Sequence, residues 1–96
     1  MVARKRQVDL MSATLLEWSA RITDLKWRAT TASPLRQAQL AEQIGILRGH
    51  WQTYDGLVRD TANTSEAVFR DMVRAAAVIA DEFRRIYVQA SSRFLS

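Results

Sequence analysis

The run Thr30-Thr31-Ala32-Ser33-Pro34 separates two helical patterns that differ in phase by one residue. Its two β-branched residues weaken a continuing helix, Ser33 suits an N-cap, and Pro34 suits a first helical position, where its missing N–H is no loss. On its N-terminal side Val8, Met11, Leu15, Trp18, Ile22, Leu25 and Ala29 recur at alternating spacings of three and four, the a/d pattern of a packed helix. On its C-terminal side Leu40, Ile44, Leu47, Trp51, Tyr54 and Val58 form a second such stripe. Leu16 and Trp27 fall off the first stripe, which implies a second neighbour for that helix.

Further along, Thr61-Ala62-Asn63-Thr64-Ser65 is a second break, with Asn63 suited to a C-cap and Thr64 or Ser65 to the next N-cap. Beyond it Phe69, Met72, Ala76, Ile79, Phe83, Ile86 and Ala90 carry the third stripe, widened by Val73, Ala80, Tyr87 and Phe94. A stripe that wide meets two helices. Gly45, Gly49 and Gly56 each weaken the middle segment by about 1 kcal/mol relative to Ala, so packing has to hold it.

These patterns predict an all-α fold, an antiparallel helical bundle or coiled coil built from three amphipathic segments at about 8–31, 34–61 and 65–94. Two arrangements satisfy them. If residues 30–33 form a loop, three helices pack up-down-up around one core. If Pro34 only kinks a long helix, the last helix returns as a hairpin, the first stripe is bare, and the chain must oligomerise. With 96 residues, a single domain spanning 1–96 is expected, with residues 1–7 as a basic, flexible tail.

The composition narrows function mainly by exclusion. The chain has no cysteine and one histidine, His50, so thiol chemistry, Cys-based zinc sites and an HExxH pair are ruled out. The glycines sit inside one helical pattern with no preceding strand, which leaves no phosphate loop. The carboxylate pairs Asp55/Asp60 and Asp81/Glu82 lack the Glu-x-x-His partner of di-iron bundles and read as solvated acids. Asp81 with Arg85, and Glu66 with Arg70, stand at i,i+4 and are expected to pair. No enzyme activity, no cofactor and no small-molecule substrate is expected.

The 14 basic residues exceed the 10 acidic ones by four, and twelve of the 14 are arginines. Arg4, Lys5 and Arg6, with Arg74, Arg84 and Arg85, are the candidate anion-binding set, for nucleic acid or an anionic membrane surface without sequence specificity. Asp9 and Glu17 interrupt the region after the basic start, and the apolar run at 75–80 is far shorter than the roughly 18 to 20 residues of a membrane span, so a cytoplasmic protein is expected.

The runs Leu15-x-x-Trp18-x-x-x-Ile22-x-x-Leu25 and Gln43-Ile44-x-x-Leu47-Arg48, the Asn63-Thr64-Ser65 junction and the ending Ala90-Ser91-Ser92-Arg93-Phe94 resemble a group of small bacterial coiled-coil proteins. These pair a long helix with a shorter returning one and have no assigned catalytic activity. The resemblance implies a helical hairpin and no active-site residues. Residue patterns and resemblance converge on a self-associating adaptor or structural protein, a homo-oligomer or the companion of a helical partner. Trp18, Ile22, Leu25 and Trp27 are its expected interface, with Trp51 and Tyr54 as core partners.

Overall fold

A computed structural model describes the backbone of residues 2–94 and the side chains of residues 4–93. Three helices of nearly equal length, α1 (Val2–Ala29), α2 (Pro34–Asp60) and α3 (Glu66–Phe94), make up almost all of it. The bundle measures 50 × 18 × 17 Å, close to the roughly 42 Å length of a 28-residue helix plus its turns.

Residues 30–33 form a loop, which decides for the up-down-up bundle and against the kinked hairpin. The chemistry is local. Thr30, Thr31 and Ala32 donate their backbone N–H groups to the carbonyls of Trp27, Arg28 and Ala29, closing the end of α1 with short turns. Ser33, in extended conformation, accepts from Arg36 N as the N-cap of α2, and Pro34 takes the first turn. The amide of Gln37 donates back to the carbonyls of Thr30 and Ala32, so α2 also braces the loop that precedes it.

At the second break α2 stops at Asp60 and a 3-10 turn, Thr61–Asn63, follows. Asn63 is therefore the last residue of that turn and not the C-cap of α2, a position Thr61 takes in right-handed helical conformation. Ser65 caps α3 by accepting from Val68 N at 3.3 Å.

The a/d stripes all point to one shared core. Met11, Leu15, Trp18, Ile22 and Leu25 from α1 meet Leu40, Ile44, Leu47 and Tyr54 from α2 and Ala76, Ala80, Phe83, Ile86 and Ala90 from α3. One aromatic ring from each helix stands at the centre: Trp18 stacks on Phe83 and meets Tyr54 edge-on, with centroids 4.8 Å apart. Trp51 flanks them, its indole N–H donating to the carbonyl of Leu15 at 2.9 Å. The wide stripe of α3 is wide because it serves both neighbours. Phe94, assigned to the edge of that stripe, has its side chain outside the described residues.

Residues 2–7, expected as part of a flexible tail, are helical. Helix α1 begins at Val2, and Arg4 anchors it to the turn between α2 and α3. The guanidinium donates to Glu66 Oε1 at 3.1 Å, to the carbonyl and hydroxyl of Thr64 at 3.0 Å each, and to the carbonyl of Thr61, while lying over the Phe69 ring. Carbonyls at the end of a helix need partners, and a charged five-donor fork answers several at once.

Candidate functional site

The four residues expected to form an interface part company in the fold. Trp18 at 2% exposure, Ile22 at 7% and Leu25 at 0% belong to the chain's own core, covered by α2 and α3, so their assignment to a self-association face is corrected. Trp27 is 72% exposed. A 3.5-residue repeat shows that a face is covered; the covering helices here come from the same chain.

Leu16 is the companion that Trp27 keeps. It is 75% exposed, and 11 residues separate the two, which at 100° per residue returns to within about 20° of one direction. That direction is opposite the core. Ala13, Ala20 and Thr23, all exposed, fill the same line at spacings of three and four. Helix α1 thus carries a second stripe on its outer face, narrower than the first. The other large exposed apolar residues, among them Val68, Val78 and Val88 on α3, point in different directions around their helix and form no line.

The expected anion-binding set is also dispersed. Arg4 is committed to the α2–α3 turn as described, Arg74 pairs with Asp71, Arg84 with Asp81 and Arg85 with Glu82. The i,i+4 pairings expected for Asp81 with Arg85 and for Glu66 with Arg70 are replaced by these. Asp71, Asp81 and Glu82 all pair at i,i+3, and Glu66 turns to the more buried Arg4. The hydrogen bond and charge of Arg85 hold the Glu82 carboxyl below its ordinary range. Only Lys5 and Arg6 of the set remain exposed with no carboxylate partner among the described residues.

The cations left over elsewhere are Lys26, Arg36, Arg48 and Arg70, none of which has a carboxylate partner among the described residues. Lys26 and Arg48 converge. Both border the groove between α1 and α2, Lys26 from the first helix and Arg48 from the second, where a cleft of about 280 Å³ is walled by Ile22, Trp51, Ser19, Thr23 and Gln52. The two come together only because α1 and α2 are antiparallel, so no short motif announces the pair.

His50 is half-buried on the flank of α2 that faces α3, and its charge adds slightly to the lowering of Glu82. Asp55 is occupied by Arg59 at 3.0 Å. No group of three metal-ligating side chains gathers among the described residues, and no helix there is long and apolar enough to cross a membrane. Comparison with family models, with curated proteins and with solved structures returns no match.

Proposed function

We propose that this chain is a non-enzymatic helical module that self-associates through the outer stripe of α1, acting as an adaptor or structural component in the cytoplasm. The observation that carries the reading is the shared direction of Leu16 and Trp27, two large apolar side chains more than two-thirds exposed on one line of one helix. Small residues between them, Ala20 and Thr23, let a second helix approach to the usual 8 to 10 Å.

The stripe is self-complementary in the antiparallel sense that a two-fold dimer requires. Setting Leu16 of one copy opposite Trp27 of the other also sets Ala20 opposite Thr23. On the same flank the alternation Glu17, Arg21, Asp24, Arg28 then places Arg21 near Asp24 of the second copy and Glu17 near its Arg28. The intrachain pairs Arg21–Glu17 and Arg28–Asp24 become members of a four-residue network. A strip about 21 Å long is small, and interfaces burying under about 1,200 Å² belong to weak, transient encounters. The dimer is therefore concentration-dependent.

Sedimentation of the full chain across a concentration series up to the millimolar range tests this. Trp27→Glu and Leu16→Glu are expected to shift the equilibrium to monomer without changing the circular dichroism, since neither side chain is in the core. The double variant Glu17→Arg with Arg28→Glu should associate better than either single change. A wild-type chain that stays monomeric throughout, or a Trp27→Glu variant that sediments like wild type, defeats the reading.

A further inference from the structure

We infer that the cleft between α1 and α2 is a binding site for the phosphate group of a phosphomonoester, held by Lys26 and Arg48. The charge distribution comes first. Seven arginines of the bundle, from Arg4 to Arg85, have an acid within ion-pair distance. Lys26 and Arg48 have none among the described residues, although both are exposed and line one cavity. Two like charges sharing a groove repel each other, and a dianion between them turns that repulsion into attraction. A phosphomonoester carries about −1.5 to −2 at neutral pH, which matches two cations; a single carboxylate does not.

The donors suit the same group. Arg48 offers a planar fork that fits two phosphate oxygens, and Lys26 a mobile point charge. Ser19 on α1 and Gln52 on α2 add a hydroxyl and an amide to the two walls. Lys26 also borders the adjoining groove, which continues past Ala41, Ile44 and Gly45 with Arg48 still on its edge. The two cations therefore sit where two stretches of one channel meet. Ile22 and the Trp51 indole supply an apolar floor, so the cleft accepts the organic body of an ester as well as its phosphate. Trp51 is held still for this by its bond to the Leu15 carbonyl. The site shares no residue with the outer stripe apart from Thr23 at its edge, and it stands or falls independently of dimer formation.

The test is a titration of the full ¹⁵N-labelled chain at about 0.1 M salt, where the screening length is about 10 Å, with three probes: inorganic phosphate, phenyl phosphate, and vesicles of phosphatidylcholine with and without phosphatidic acid. Phenyl phosphate is expected to shift the backbone resonances around Lys26 and Arg48 and the Trp51 indole N–H, and to bind more tightly than inorganic phosphate. The variants Lys26→Gln and Arg48→Gln should each weaken binding at least about tenfold, the loss expected for a charge-assisted contact. Arg70→Gln, which removes an equally unpaired cation at the other end of the bundle, should change it less than about twofold because that charge lies beyond the screening length. Binding of phosphatidic acid vesicles alone through the same two residues keeps the site and makes a lipid its source. Absence of any shift at the cleft with all three probes overturns the inference, as does an Arg70→Gln variant that loses as much affinity as Arg48→Gln.

Discussion

The indole of Trp18 lies flat on the ring of Phe83, with centroids 4.2 Å apart and planes 5° from parallel, and this contact joins α1 to α3 in the centre of the bundle. The two helices run side by side in the same direction, each antiparallel to α2, so their contact depends on large side chains spanning the gap. Phe83 is fully buried. Phe83→Ala is expected to cost about 3 to 5 kcal/mol, combining lost transfer energy with the cavity left against Trp18 and Tyr54. For a domain of this size the melting temperature should fall by about 12 °C or more. Phe83→Leu should lose less than half of that. Urea unfolding of both variants decides it: an alanine variant within about 1 kcal/mol of wild type would mean that α3 is not locked by this ring.

Arg4 makes the second prediction, since its guanidinium ties the first turn of α1 to Thr61, Thr64 and Glu66 at the junction of α2 and α3. Arg4→Ala removes a charged donor from partly buried carbonyls and is expected to cost about 1.5 to 3 kcal/mol. Amide exchange should quicken in the first turns of α1 and in the 3-10 turn together. Arg4→Lys should restore the charge but only part of the stability, because an ammonium cannot reproduce the fork. Equal exchange rates in wild type and Arg4→Ala would show the α1 start to be held by packing alone.

Arg4 also marks where sequence reading stops. Its sequence neighbourhood, Arg4-Lys5-Arg6, looks like a solvated basic tail; its partners lie 57 to 62 residues away. The helix starts, by contrast, are legible in local chemistry, though the C-cap expected at Asn63 and the i,i+4 ion pairs are not. Ser33 and Pro34 start α2 as their types require, and Ser65 starts α3. The a/d residues of all three stripes are buried or half-buried. What periodicity leaves open is ownership of the covering surface, and so Trp18, Ile22 and Leu25 read equally well as a core or as an interface. The loop at residues 30–33 settles it by folding α2 back onto them. Lys26 and Arg48 are 22 residues apart on different helices, and only the antiparallel register brings them into one cleft.

Tyr54 supplies a pH prediction. Burial raises its phenol above the ordinary value near 10, outweighing the Thr14 hydroxyl and the Arg84 charge, which both pull it down. A group whose folded value is raised binds its proton more tightly in the folded state. Its contribution is thus complete below the unfolded phenol's pKa and is lost as pH climbs through the folded value. Wild-type stability, measured by urea unfolding from pH 8 into the alkaline range, should fall more steeply above about pH 10 than that of Tyr54→Phe. Parallel curves for the two proteins would place the phenol in contact with water in the folded state.

The glycines of α2 give a prediction of the opposite sign. Gly49 and Gly56 have negative φ, and a Cβ built on either meets nothing within 4 Å, so neither the backbone nor the packing of the bundle requires glycine there. Replacing each by alanine removes the backbone entropy that glycine loses on folding, and each change should stabilise by about 0.5 to 1 kcal/mol. The two sites are two turns, about 10 Å, apart on the side of the helix opposite its core stripe, so their effects should add to within about 0.5 kcal/mol. The double variant is then expected to melt about 4 to 16 °C above wild type. Thermal unfolding followed by circular dichroism reads this directly at low protein concentration, where the monomer dominates. A double variant that melts at or below the wild-type temperature would require something else to press against the outer face of α2 in the folded protein.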